Sequence, residues 1–320
     1  MSEIDPQSAA RGAALSSNQR CYDSLVTAQA ALCRPASDAE LADPLGTLDP
    51  IGWLEGSVRG KRLLCLAAGG GRQSALYATA GAEVTVVDIS PAMLELDRQV
   101  ARRRKLSIRI VQASMDQLTP LANASFEIVV HPVSTCYLPD IGPVFREVAR
   151  VLVPGGIYVS QHKSPINLQT SHGRNLRSHY EILHPCYRDA PIPAATESSS
   201  ATKRLREPGA IEYLHRLEQI LGGICRNGMV IEDFIEPFHA DPEAAANSFG
   251  DRARFVPPYL RIKARKRISL GAPAAGESVP RLVTPHNPAR PDRPPIRPPD
   301  GPTGTTDRDL SVPSRILLPD

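Results

Sequence analysis

Aromatic residues are scarce in this chain, 5% of the total with a single tryptophan, and charge of either sign is nearly balanced at +3. Both shortages weigh against a nucleic-acid partner, which stacks bases on aromatic rings and meets phosphates with a basic face. The six cysteines (Cys21, Cys33, Cys65, Cys136, Cys186, Cys225) contain no Cys-x-x-Cys pair. That removes the common zinc and dithiol signatures, so no metal is expected. Cys65 and Cys136 sit in apolar runs and read as buried thiols of a reducing compartment. No apolar run is long enough to span a bilayer. The opening Met1-Ser-Glu-Ile-Asp-Pro6 lacks the basic and apolar regions of a signal peptide. A cytoplasmic protein without a membrane partner is expected, and no internal repeat is visible. Oligomeric state leaves no mark on the sequence.

Proline is plentiful but uneven, with 12 of the 31 in the last 50 residues. Three regions follow: a frayed stretch over 1–17, a folded domain over 18–268, and a disordered Pro- and Arg-rich tail over 269–320. Hydrophobic content of 42% supports a real core in the middle region. A helix is expected from Asn18, carrying Tyr22, Leu25, Val26, Leu32 and Cys33 at helical spacing. Strand and helix then alternate. Strands are expected at Leu63–Leu66, Val84–Val87, Ile108–Val111, Phe126–Val130 and Ile157–Ser160. Ser90-Pro91 is a capped helix start, Asp140 caps the next helix, and Pro154-Gly155-Gly156 turns into the fifth strand. This rhythm implies a parallel sheet with right-handed crossovers. Residues 164–208 break it and read as a substrate-side insert or lid, in which His172 and His184 are candidates to reach the site. A helix is expected from Pro208, then two last strands, Met229–Phe234 and Tyr259–Ala264. The basic run Arg261–Arg267 alternates like an edge strand.

The chemistry concentrates in Arg62-Leu-Leu-Cys-Leu-Ala-Ala-Gly-Gly-Gly-Arg-Gln73 and Val84-Thr-Val-Val-Asp88. A buried strand, a glycine turn and a helix precede a second strand ending in an acid. Glycines admit close backbone approach, and an acid at the tip of the second strand suits a ribose diol. A nucleoside cofactor follows. Gly69-x-Gly71-x-x-Ser74 also fits part of the dinucleotide fingerprint, so an NAD(P)-dependent oxidoreductase is one alternative.

The order glycine turn, Asp88, Asp116, Asp140 helix, Pro-Gly-Gly turn and closing strand pair resembles the class I S-adenosylmethionine-dependent methyltransferases, most closely their ubiquinone- and menaquinone-biosynthesis-like branch. The likeness covers roughly 18–266. It implies a doubly wound, mostly parallel, seven-stranded Rossmann-like sheet with a C-terminal antiparallel strand pair, and S-adenosyl-L-methionine as cofactor. Carried over, Ala67, Gly69 and Gly71 approach the methionine part of the cofactor. Cys65 stands where the family has an acid, and Ala67 where it has its first glycine. Asp88 holds the ribose, Ile89 and Met93 lie beside the nucleoside, Met115 packs on the adenine, and Asp116 accepts from its amino group. His131 opens a segment that faces the transferred methyl.

The expected reaction is an in-line displacement moving a methyl group to a small-molecule acceptor, with positioning as the main contribution of the protein. Where the acceptor must lose a proton, His131, Tyr137 and His162 are the candidates, all near carboxyl ends of strands four and five. A non-catalytic protein of the same fold is the other alternative, given the departures at Cys65 and Ala67.

Overall fold

The computed structural model describes residues 5–194 and 205–268. The chain separates into two units, Met1–Gly271 and Ala272–Asp320. The tail expected over 269–320 lies outside the described residues, as do 195–204 of the insert.

In the first unit the strands β1 (Arg62–Leu66), β2 (Glu83–Asp88), β3 (Ile108–Gln112), β4 (Phe126–His131), β5 (Leu152–Lys163), β6 (Met229–Ile235) and β7 (Tyr259–Lys266) form one sheet in the order β3-β2-β1-β4-β5-β7-β6. The first five are parallel, and β7 runs antiparallel between β5 and β6. This is the sheet the resemblance implies. The order reverses between β1 and β4, and a crevice opens at the carboxyl ends of strands at such a switch point. Leu63 to Leu66 and Val84 to Val87 are unbroken buried runs apart from the small hydroxyl of Thr85, because these central strands carry helices on both faces.

The helices are α1 (Pro6–Thr27), α2 (Asp38–Ala42), α3 (Pro44–Leu48), α4 (Gln73–Thr79), α5 (Pro91–Arg104), α6 (Gly142–Val151), α7 (Pro165–Gln169), α8 (Leu217–Arg226) and α9 (Phe249–Ala253). On one face α6 buries Val144, Phe145, Val148 and Val151 beside Ile220 and Ile224 of α8. On the other, Tyr77 of α4 and Leu94 of α5 pack on Leu63, Cys65 and Val86. Helix α5 starts as expected, with Ser90 Oγ accepting from the Met93 amide at 3.0 Å and Pro91 in the first turn.

Three expectations need correction. The stretch expected to fray over 1–17 is helical from Pro6, capped by Asp5, and runs on without a break to Thr27. Its buried face is Ala14, Asn18 and Cys21, all small or polar, so no apolar stripe marks it. The helix expected from Pro208 starts only at Leu217. Residues 210–215 instead spend backbone groups on neighbours: Tyr213 N on Cys136 O at 2.7 Å, Ile211 N on Asn18 Oδ1 at 2.7 Å, and Glu212 O on Ile192 N at 2.7 Å. Finally, β7 is interior and β6 is the edge. The basic run is largely spent within the molecule: Lys263 and Arg265 pair with Glu55 and Glu232, and Arg261 lies over the Trp53 ring.

Candidate active site

The turn after β1 is held by two carboxylates, one at the end of β2 and one on α5. Asp88 Oδ2 accepts from the Gly69 amide at 2.9 Å. Asp97, on α5 and fully buried, accepts from Gly70 N at 2.9 Å, from Gly71 N at 3.1 Å and from the Ser74 hydroxyl. Burial raises the Asp97 carboxyl to about 6 against the pull of those three donors. Two glycines are required here. A Cβ on Gly69 would lie 2.8 Å from Met93 Cβ and 3.1 Å from Asp88, and Gly71 has φ +73° with Leu96 O only 3.0 Å from a would-be Cβ. Ala67 also has positive φ, +49°, so the alanine at the family's first glycine occupies a left-handed backbone. Cys65, in place of the family's acid, is a fully buried neutral thiol, its pKa pushed well up by burial.

The turn decides between nucleoside ligands. A dinucleotide rests its pyrophosphate on free N–H groups. Here the amides of Gly69, Gly70 and Gly71 point at Asp88 and Asp97, and Ser74 is buried under Asp97. An anion would meet two carboxylates, whereas a cationic sulfonium would not be repelled.

A cleft of about 250 Å³ opens beside this turn. Ala67, Gly69, Asp88, Ile89, Met93 and Met115 are among the residues that line it. Asp88 is half-buried, and its pKa is raised by burial despite the Ser90 and Gly69 amides that favour its charge. Its second oxygen accepts from Ser90 N at 2.9 Å, so both oxygens are aimed by backbone and keep lone pairs for a diol. Gly71 sits behind the turn rather than in the lining. Asp116 needs correction as an adenine acceptor. It does not line the cleft, and Arg11 of α1 takes its carboxylate at 2.5 and 2.8 Å, with Ser114 as a further donor. Burial would raise this carboxyl, but Arg11 and Ser114 outweigh it and hold it low. The cleft fits the cofactor on two counts. Asp88 lines it with lone pairs to spare, and so does Gln73, whose Oε1 is the one buried side-chain N or O without a partner among the described residues.

The opposite end is roofed by α1. Asn18 clamps α1 to Tyr137 O and Ile211 O, both at 3.1 Å, and Leu15, Asn18 and Tyr22 line the cleft. The insert 164–208 contributes no described residue to the lining, so α1 rather than the insert is the cover, and His172 and His184 stay outside. Tyr137 also lines the cleft. Tyr22 Oη donates to Tyr137 Oη at 2.9 Å, and Tyr137 donates to Glu207 Oε2 at 2.6 Å. Behind Glu207 lies a buried ionic chain: Lys163 Nζ at 3.0 Å, Glu212 against Lys163, and Arg206 against Glu212. Burial alone would raise Glu207, but Lys163 and the Tyr137 hydroxyl keep its pKa below the usual carboxylate value. Burial drives the Tyr137 and Tyr22 hydroxyls well up, so both stay protonated.

The two histidines are corrected as bases. His131 is 2% exposed and is not among the residues that line the cleft, with Nδ1 2.8 Å from Tyr158 Oη and Nε2 2.6 Å from Ser134 Oγ. Burial drives its pKa down to about 3, so it is neutral with both nitrogens occupied. His162 is likewise buried, between Thr135 Oγ1 at 2.8 Å and Ser160 Oγ at 2.9 Å, and burial with the neighbouring His131 pushes its pKa far down. Sequence reasoning missed Gln73, Asp97, Tyr22 and Glu207. Asp97 lies nine residues after Asp88 on the helix facing the turn, which is a usable signal. Tyr22 and Glu207 had none, since only folding joins them.

A nucleoside crevice at the switch point of a sheet with a reversed seventh strand defines the class, and comparison with known proteins narrows it. Residues 64–160 match the family model described as a methyltransferase domain. The chain is 33% identical over 180 residues to the uncharacterized methyltransferase YbaJ of Bacillus subtilis, covering 56% of this chain and 69% of that one. It is 29% identical over 135 residues to a ubiquinone biosynthesis O-methyltransferase of Alkalilimnicola ehrlichii, covering 42% and 53%. The chain thus spans about two thirds of the first relative and about half of the second. In fold it is similar to an S-adenosylmethionine-dependent methyltransferase of Mesorhizobium loti, with TM-score 0.53, 22% identity, and 72% and 99% of the two chains covered. The chain belongs to the class I S-adenosylmethionine-dependent methyltransferases, with S-adenosylmethionine as cofactor.

Proposed function

We propose that this methyltransferase methylates a hydroxyl group of a small molecule, a phenol first among the candidates, seated against Tyr22 and Tyr137. The observation that carries this reading is the hydrogen-bonded chain Tyr22–Tyr137–Glu207, which starts in the cleft and ends on a carboxylate. The O-methyltransferases of ubiquinone biosynthesis among the relatives support the acceptor class. No helix of the described residues is long and apolar enough to cross a membrane, in keeping with a cytoplasmic enzyme and a diffusible acceptor.

The cofactor supplies a methyl group already activated on a sulfonium. Asp88 holds the ribose, and Ile89 and Met115 hold the adenine between apolar surfaces. Roofed by α1, the acceptor oxygen is kept in line with the methyl, where positioning contributes most. Bound there, the cofactor would supply the methyl carbon for the new C–O bond and a sulfur leaving group able to keep the electron pair of the C–S bond. The acceptor proton passes to Tyr22, the Tyr22 proton to Tyr137, and the Tyr137 proton to Glu207. Each tyrosine ends as it began, and the carboxylate holds the proton until solvent takes it. General-base assistance of this kind contributes roughly 10²–10⁴-fold.

The test is transfer of labelled methyl from S-adenosylmethionine to a panel of phenols and to their methyl ethers. Wild type should label the phenols alone. Glu207→Gln should lower kcat about 100-fold with S-adenosylhomocysteine affinity unchanged by calorimetry. Equal labelling of the ethers, or an unaltered kcat in the variant, would overturn the reading.

A further inference from the structure

An acceptor atom left unpaired inside a protein is costly, and such an atom calls for an explanation, of which a bound ligand is one. Among the described residues there is one on a side chain, Gln73 Oε1. Gln73 lines the cofactor cleft and also a second, smaller pocket, one residue after Arg72 and at the end of the turn that carries Ala67 and Gly69. Asp97 lies outside this wall and already has three donors, and Asp88 has two, with its remaining lone pairs left for the ribose. The Cys65 thiol is sealed in the core and lines nothing.

The cofactor carries donors at three places: the adenine amino group, the ribose hydroxyls and the α-ammonium of its methionine part. Ile89 and Met115 bound the adenine, and Asp88 meets the ribose. Only the ammonium is left for Gln73. The same wall holds a cation for the other half of the amino acid: Arg72, held through Nε by Glu40 Oε1 at 2.9 Å, lines the cleft beside Gln73. We propose that Gln73 and Arg72 form an amino-acid clamp in which Gln73 Oε1 accepts from the cofactor's α-ammonium and Arg72 takes its carboxylate. The clamp lets this chain grip the zwitterion without an acid at position 65. It makes affinity depend on the amino-acid part of the ligand as well as the nucleoside.

The inference rests on S-adenosylmethionine being the cofactor, and the experiment separates the two. Calorimetry on the full chain uses three ligands: S-adenosylhomocysteine, its decarboxylated analogue S-adenosyl-3-thiopropylamine, which keeps the amine alone, and 5′-methylthioadenosine, which has neither group. Gln73→Leu should weaken the first two by roughly 10- to 100-fold and leave the third unchanged. Gln73→Glu should bind the first two at least as well as wild type, because it keeps an acceptor and adds charge. Arg72→Met should weaken S-adenosylhomocysteine alone. Equal losses on all three ligands in Gln73→Leu, no loss on any, or a Glu variant as weak as the Leu variant would overturn the clamp while the cofactor assignment stands. A wild type that binds none of the three would overturn both. Retained 5′-methylthioadenosine binding is the control for folding.

Discussion

The two ends of the cleft are built in opposite ways. The cofactor end comes from one contiguous stretch, residues 65–115, in which Asp88 and Asp97 are held by backbone amides and a hydroxyl and, among the described residues, by no cation. The acceptor end is assembled from segments far apart in the chain. Asn18 reaches Ile211 across 193 positions, and Tyr137 meets Glu207 across 70. Its carboxylates are matched by cations, Glu207 with Lys163, and Glu212 with Lys163 and Arg206. One end is locally negative, as suits a ligand carrying a sulfonium. The other is internally neutralised, in keeping with the hydroxyl acceptor proposed above. The difference also says which end tolerates change. Amides cannot be mutated away, whereas an ionic chain fails when one link is removed.

The sharpest way to break this contrast is Glu212→Gln. Glu212 is fully buried and is the shared partner of Lys163 and Arg206. Burial would lower the Lys163 ammonium, and Glu212 and Glu207 reverse that and hold it above its usual value. Removing Glu212 leaves one cation short of a partner in the interior, which costs about 3–5 kcal/mol. Urea denaturation should show that loss, and a loss below about 1 kcal/mol would mean that the ionic chain does not hold the acceptor end together.

The matching test at the cofactor end is a pH profile. The Asp97 carboxyl moves from 3.8 to about 6 on folding. The folded state therefore binds this proton more tightly than the unfolded state does. The stabilisation is fully present below about pH 4 and is lost as pH rises to about 6. At about 1.4 kcal/mol per pH unit the change amounts to about 3 kcal/mol. Subtracting the Asp97→Asn profile from wild type isolates the group. The difference should slope across pH 4–6 and be flat above it, and a flat difference throughout would remove Asp97 as a proton-linked anchor of the turn.

What the sequence made legible follows the same divide. The strands, the Ser90 cap and the placing of Gly69 and Asp88 depend on neighbours within a few tens of residues, and periodicity and turn chemistry report such relations. The acceptor end depends on which distant segments meet. Periodicity cannot see that α1 buries Ala14, Asn18 and Cys21, because none is a large apolar residue. Nor can it see that Ile211 and Tyr213 give their amides to Asn18 and Cys136 instead of to a helix. His131 and His162 were singled out by position at strand ends, which is correct, but strand-end position does not set burial. Tyr158, Ser134, Thr135 and Ser160 take their nitrogens, and burial keeps them uncharged. The Arg11–Asp116 pair is hidden from sequence for a related reason, since Arg11 belongs to a stretch without apolar periodicity.

The smallest expected effect bears on the strain in the cofactor end. At φ +49° Ala67 keeps its Cβ close to a carbonyl, which costs an L-residue roughly 1–2 kcal/mol. Glycine would remove that cost but lose about 0.5–1 kcal/mol more conformational freedom on folding. Ala67→Gly should therefore stabilise the fold by about 0.5–1 kcal/mol, a rise in Tm of roughly 1–4 °C for a domain of this size. Ala67 also lines the cleft, so the substitution would loosen the wall against which the clamp proposed above would hold the cofactor's amino acid. A higher Tm together with weaker S-adenosylhomocysteine binding would mean that the chain keeps a strained alanine for the contact it makes. A lower Tm would mean that the left-handed backbone at 67 carries no strain, and the contrast between the two ends would then rest on charge alone.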